Sequence, residues 1–424
     1  MRNNDGFTEG IDWMTVLLYI TLTTLGWLNI YAAVYDPELN QSIFDFNYSS
    51  GKQLLWIACS LVLVAFLILI DYKFYDAFAY IIYGLVMLLL MLVLVAGKEV
   101  AGSKSWFEIG SIRVQPSEFA KFATALAISK YLSDITLKLD QKKTIMVLAA
   151  IIGLPVGLIM LQGDTGSAMV FSVFIVVLFI EGLTPIPIIL GLSSGVLLIL
   201  ALLVDKTILT IGFGVLTLPI IGLIIYKKRH FIKPVLLVVA AYVFAIGVIF
   251  SVDYVVYHVM KPHQQNRVKA LINPDGDPLG YGWNVTQSKI AIGSGGFLGK
   301  GFLEGTQTKF DYVPEQSTDF IFCTIGEEHG WIGSFTVISL FVVFMIRLFY
   351  LADRQKMRMA RVYGYCVACI IFFHFLVNIG MTIGLFPVVG IPLPFFSYGG
   401  SSLWSFTILL FIFLNLDASK SHVL

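Results

Sequence analysis

Acidic, basic and amide side chains crowd into one glycine-rich stretch of this sequence. It runs Asn273-Pro274-Asp275-Gly276-Asp277-Pro278-Leu279-Gly280, then Gln287-Ser288-Lys289, then Gly293-Ser294-Gly295-Gly296-Phe297-Leu298-Gly299-Lys300-Gly301, and closes on Gly305-Thr306-Gln307. Asp275 and Asp277 are the candidate bases. Sugar-transfer chemistry needs a carboxylate placed to take a proton from a hydroxyl, whereas an exposed aspartate beside Gly or Pro is ordinarily a turn former. The glycines permit positive φ and close backbone approach, and successive N–H groups in such turns make anion-binding concavities. Lys289 and Lys300 would add charge for a diphosphate. The plainer alternative is a cluster of tight turns that merely folds the segment. A P-loop is excluded, because Ser294 stands where its first glycine belongs and no Ser or Thr follows Lys300.

Ionisable residues inside apolar stretches are a second signal, since each costs about 2.5–3.5 kcal/mol at the centre of a membrane helix. Glu118 and Lys121 are three apart and share a helix face, with Pro116 at the helix start where its missing N–H is harmless. They read equally as a substrate site or as an ion pair holding helices together. Asp164 follows Gln162-Gly163 at the mouth of another apolar stretch, and Glu327, Glu328 and His329 precede a third. His374, alone among apolar neighbours, reads as a hydrogen-bonded core residue. No His, Cys, Asp or Glu spacing supports a metal cage.

The elements that must position these groups are membrane helices. Apolar residues make up 58% of the 424 positions and charged residues 13%, which leaves too little polar surface for a water-facing domain. A net charge of +1 argues against nucleic acid as a partner. Cys59, Cys323, Cys366 and Cys369 lie in apolar stretches and read as small buried hydrophobes. Asp5, Glu9 and Asp12 stand where a basic n-region would be, so no signal peptide is expected. Stretches of roughly 20 apolar residues, the length that crosses a bilayer core, fall at 13–34, 54–70, 77–97, 144–162, 184–204, 207–226, 234–252, 331–350, 362–385 and 393–415. Two weaker ones at 117–132 and 166–180 bring the expectation to about twelve helices in a single all-α polytopic domain over 1–424.

The positive-inside rule supports that count. With both termini cytoplasmic, the inner side receives Arg2, Lys73, Lys130, Lys138, Lys142, Lys143, Lys227, Lys228, Arg229, Lys233, Arg347, Arg354, Lys356, Arg358, Arg361 and Lys420. Residues 253–318 then form one large extracytoplasmic loop. Pro387 to Pro394, followed by Ser397-Tyr398-Gly399-Gly400-Ser401, breaks a helix near the outer face. Irregular backbone at that depth is tolerated only against protein or a wet cavity.

Taken together these strings resemble the SEDS family (shape, elongation, division, sporulation), its elongation members more than its division members. The resemblance is carried by Val114 to Lys121, Gly163-Asp164-Thr165-Gly166, Asp277 to Gly296, Gly305-Thr306-Gln307, Pro314 to Phe320, Gly384 to Pro394 and Ser397 to Ser401. It implies an inverting peptidoglycan glycosyltransferase that polymerises lipid II in the bacterial inner membrane during elongation and rod-shape maintenance. It also implies a class B penicillin-binding protein as partner, alongside other elongation-complex membrane proteins. Asp277 falls on the family's essential aspartate, and Glu118, Lys121 and Asp164 on polar positions of its central cavity. Gln287, Ser288, Lys289 and Lys300 join them as substrate-binding candidates. No cofactor is required by this reading beyond, at most, a divalent cation such as Mg2+ at the leaving diphosphate. Two departures stand out: Ser317 replaces the usual His before Thr318-Asp319-Phe320, and a helical pair is added to the family's core of ten within 184–226. The rivals are a lipid II flippase, which needs no outer-loop base, and a non-catalytic scaffold, which needs neither the base nor the buried charges.

Overall fold

The structure is a computed structural model and describes residues 10–36, 42–100, 102–110, 112–134, 136–227, 231–260, 264–268, 281–310 and 312–419. Asp275, Asp277 and the rest of 269–280 lie outside the described residues, as do Arg2, Lys228, Arg229 and Lys420. The helices are α1 (Trp13–Val34), α2 (Ser49–Leu69), α3 (Tyr72–Ala96), α4 (Pro116–Leu132), α5 (Lys142–Leu161), α6 (Thr165–Val170) and α7 (Val173–Ile180). They continue as α8 (Ile186–Leu203), α9 (Lys206–Lys227), α10 (Ile232–Tyr254), α11 (Tyr281–Ser294), α12 (Ile321–Asp353), α13 (Arg358–Thr382) and α14 (Gly400–Ala418). Between α3 and α4 lies a three-stranded antiparallel sheet of β1 (Lys98–Val100), β2 (Ser103–Ile109) and β3 (Ile112–Val114).

Among the described residues, ten helices are long and apolar enough to cross a membrane. The two weak stretches of the sequence become α4 and the broken pair α6–α7, both below that length. The segment read as one long loop is partly helical: a π-helical turn at Val255–Val259 extends α10, and α11 occupies Tyr281–Ser294. Its Gly, Asn and Ser content hid the helix from a propensity reading.

The chain also divides where the sequence reads as one domain. One unit is Met1–Leu183 with Trp283–Leu424, the other Thr184–Gly282. The smaller unit holds α8, α9 and α10 around its own apolar core of Leu197, Ala201, Ala245, Ile249, Val252 and Val256. α9 buries no residue, as suits a helix whose every face is aliphatic.

In the larger unit α4 is the centre. It packs against α3, α5, α13 and α14, and nearly all of its residues are buried. Ala120, Ala123, Ala125 and Ala127 let the neighbouring backbones approach closely. Its weak hydropathy follows from that position, since a helix ringed by protein has no lipid to face. Cys323, Cys366 and Cys369 are buried as expected, but Cys59 is exposed on α2.

Several basic residues of this unit form ion pairs between helix ends at one face. Arg347 pairs with Asp12 at the start of α1, and Lys130 with Asp76 at 2.8 Å. Arg354 pairs with Asp417 at 2.8 Å, while Arg361 grips both oxygens of Glu181 at 3.0 Å and Arg358 joins at 3.3 Å. Burial works to raise the Asp12 carboxyl, but hydrogen bonds from Arg347 and Thr15 outweigh it and hold the group at about 2. A depressed carboxyl stabilises the fold above its ordinary value near 3.8, and the contribution is lost as pH falls towards 2. Asp12→Asn is therefore expected to lower the unfolding temperature at pH 7 and to have no effect near pH 2. Thermal unfolding in detergent at both values checks this, and an equal loss at both would remove the ionic explanation.

Candidate functional site

At the face opposite the ion pairs, Asp164 is the N-cap of α6, accepting from Ser167 N at 3.0 Å and Ser167 Oγ at 2.7 Å. Gln115 Nε2 donates to it at 2.7 Å from just before α4, and Ser117 Oγ at 3.5 Å from the first turn. Gly166 faces the carbonyl of Val389, so the Asp164 turn lies against the irregular Pro387–Pro394 segment; any side chain there would displace it.

One residue beyond Ser117, Glu118 accepts from Lys121 Nζ at 2.7 Å and from Ser405 Oγ at 3.3 Å. The pair is buried, with side chains 4% and 2% exposed. Lys121 also reaches Nε2 of His374 at 3.0 Å and lies over the Phe406 ring at 4.5 Å. The His374 tautomer follows from its other nitrogen. Nδ1 lies 3.0 Å from the Pro392 carbonyl, which only accepts, so Nδ1 carries the proton and Nε2 receives from Lys121. The ammonium is thus held by Glu118, His374 and the Phe406 face, all from the chain itself.

His374 opens a polar stripe along α13. Four residues on, Asn378 Nδ2 donates to the carbonyls of Asp319 and Ile391, both at 2.8 Å. Four further, the Thr382 carbonyl receives Ser288 Oγ of α11 at 2.9 Å. Positions i, i+4 and i+8 lie on one helix face. The stripe therefore joins the Glu118–Lys121 pair, the broken segment before α14 and the helix that carries Gln287, Ser288 and Lys289. Gln287 and Ser288 are buried; Lys289 is exposed and lies beside Gly384.

The glycine-rich run after α11 has a packing role that is fully visible. Gly295 and Gly299 press on the carbonyls of Gly326 and Glu328, where a Cβ would collide with backbone. Lys300 N and Gly301 N donate to the Glu327 and Glu328 carbonyls at 3.1 and 2.9 Å, and Trp331 N donates to the Gly296 carbonyl at 2.9 Å. These bonds use the backbone groups freed where α12 breaks at Gly330 (φ 60°, ψ −152°). Close packing on the α12 backbone accounts for Gly295 and Gly299 here. Gly299 has φ +84°, so Gly299→Ala adds left-handed strain to a collision. It is expected to cost about 2–4 kcal/mol, from strain plus overpacking. Denaturation in detergent measures it, and a loss under about 1 kcal/mol, the lower end of overpacking costs, would contradict the close-approach account.

Glu327, noted in the sequence without a role, is an organising group. Its carboxylate, fully buried, accepts from the amides of Thr306, Gln307 and Thr308 at 2.8, 2.8 and 2.9 Å, and from Lys300 Nζ at 2.6 Å. Lys300 is thereby committed to Glu327 and to Thr306 Oγ1 at 2.6 Å. Among the described residues no three His, Cys, Asp or Glu side chains converge as metal ligands.

The model of the FtsW/RodA/SpoVE family, described as cell cycle protein, matches residues 12–211 and 214–422. The chain belongs to this family. It is 32% identical to the protein named peptidoglycan glycosyltransferase RodA of Treponema pallidum, covering 96% of this chain and 98% of that one. Identity to the peptidoglycan glycosyltransferase MrdB of Escherichia coli is also 32%, over 82% of this chain and 80% of the relative. A solved chain described as part of a peptidoglycan synthase complex coordinating polymerization and crosslinking superposes at TM-score 0.70. Its identity is 26%, with 97% of this chain and 99% of that chain covered. The family's fold also appears in the rod shape determining protein RodA of Thermus thermophilus, at TM-score 0.62 and 24% identity over 98% of this chain and 99% of that one.

Proposed function

We propose that this family member is a peptidoglycan glycosyltransferase of cell elongation, polymerising lipid II at the outer face of the bacterial inner membrane with both termini cytoplasmic. The observation that carries the reading is the end-to-end similarity to relatives named for that activity. The 4-hydroxyl of a GlcNAc on one lipid II attacks C1 of the MurNAc on another, inverting it, and the diphosphate-lipid leaves with its electron pair. Asp277 takes the hydroxyl proton. Lys289, exposed on α11, offsets charge on the leaving diphosphate, and Ser288 holds that helix to α13 beside the buried Gln287. Glu118, Lys121 and Asp164 shape the cavity wall beneath. A class B penicillin-binding protein is the partner that crosslinks the strands.

The saturated surroundings of Lys121 favour this reading over a flippase, whose path would need the buried charges open to cargo. The test is polymerisation of purified lipid II by this protein with a class B penicillin-binding protein in detergent. Glycan ladders are expected. Absence of polymer, together with lipid II transfer between leaflets of vesicles, would replace the enzyme reading with the transporter.

A further inference from the structure

Far from the polar stripe, at the ion-paired face, α3, the end of α4 and the start of α5 enclose a cavity of about 650 Å3. Its walls include Tyr80, Lys130, Tyr131, Asp134, Lys143 and Thr144. Helix α5 begins there in an unusual way. Its N-cap Gln141 makes no side-chain cap, its first turn holds no acid, and its first two residues are Lys142 and Lys143. The first amides of a helix lack intrahelical acceptors, and its N-terminus carries partial positive charge that disfavours cations. Two lysines at that position repel the partial charge of the helix end, a repulsion that a bound anion would offset.

The cavity itself supplies a second indication. Thr144 is 1% exposed and lines the wall, yet among the described residues its hydroxyl has no hydrogen-bond partner. Lys130 is already paired, and the Asp134 carboxylate is engaged within its own turn. Lys130 pairs with Asp76 at 2.8 Å, and Asp134 accepts from Thr136 N at 2.9 Å and Thr136 Oγ1 at 2.8 Å. Among the described residues Lys143 has no ion-pair partner.

We propose that this cavity binds the phosphate of an anionic phospholipid from the leaflet at the basic face. Lys143, the Thr144 hydroxyl and the opening amides of α5 are its donors. The surface beside the cavity favours a lipid over a soluble anion. Immediately beyond Thr144 on α5 come Ile145 and Met146, exposed at 41% and 70%, and on α3 Ile81 is exposed at 55% beside Tyr80. A phospholipid lays acyl chains on these apolar side chains while its headgroup enters the basic cavity, an arrangement a free phosphate cannot use.

The test uses the full chain in detergent, stripped of lipid and examined by native mass spectrometry with dioleoyl phosphatidylglycerol, dioleoyl phosphatidylcholine or inorganic phosphate. Phosphatidylglycerol is expected to be retained in preference to phosphatidylcholine. Lys143→Gln should weaken that retention about fivefold, the usual effect of one lysine near an anionic leaflet, and adding Thr144→Val should weaken it further. Lys356→Gln, a charge-matched change at the same face, should leave it unchanged. Undiminished retention by Lys143→Gln would overturn the proposal. So would equal loss in Lys356→Gln, equal retention of the two lipids, or displacement of phosphatidylglycerol by millimolar inorganic phosphate.

Discussion

Asp277→Asn is expected to lower glycan synthesis by about 10²–10⁴-fold, the usual contribution of a positioned general base. Asparagine keeps the size and polarity of aspartate but accepts no proton at neutral pH. Membrane insertion and partner binding should therefore survive, with loss confined to the chemical step. Asp275→Asn should be much milder, because the family resemblance places only Asp277 at the essential position. The measurement is lipid II polymerisation, with co-purification of the penicillin-binding protein as the control for folding. Near-normal polymer from Asp277→Asn would remove the assignment and return the scaffold and transporter readings to contention.

The second large effect concerns Glu118 and Lys121. Removing one member of a buried ion pair strands the other, at about 3–5 kcal/mol, whereas replacing both with apolar groups of similar volume costs far less. The surroundings make the two singles unequal. Without Glu118, Lys121 keeps the His374 acceptor and the Phe406 face. Without Lys121, the Glu118 carboxylate keeps, among the described residues, the Ser405 hydroxyl at 3.3 Å alone. Lys121→Met should thus destabilise more than Glu118→Gln, and Glu118→Leu with Lys121→Met should cost less than the sum of the corresponding singles. Unfolding in detergent reads the stabilities and polymerisation reads the function. Strict additivity would mean that the pair does not interact in the folded protein.

The pairing of Glu118 with Lys121 was legible because ions three residues apart on a helix must meet. The role of α4 was not, since a short helix of weak hydropathy looks marginal until its neighbours surround it. His374 looked solitary for a related reason: its partners, Lys121 and the Pro392 carbonyl, are brought to it by packing. The spacing of His374, Asn378 and Thr382 did contain the stripe, but only as polar positions without known acceptors. Glu327 was invisible as an organiser because its acceptor role depends on a turn nineteen to twenty-one residues earlier in the chain. Glycine density, by contrast, was informative but ambiguous, since anion binding and close packing both demand a missing side chain. Only the carbonyls of Gly326 and Glu328 decide between them.

The break at Gly330 has a bearing on biogenesis. It separates α12 into an outer segment that carries Glu327, Glu328 and His329 and an apolar segment from Trp331 to Asp353. The apolar segment alone reaches about 34 Å at 1.5 Å per residue, enough to cross a hydrocarbon core. An emerging chain can therefore commit this segment to lipid without first dehydrating two carboxylates. The acidic overhang is then free to remain in water until α11 and the Thr306–Thr308 turn, which emerge before it, dock against it. Insertion and assembly of this helix become separate events, and the charged half is stabilised by protein contacts the bilayer never has to supply.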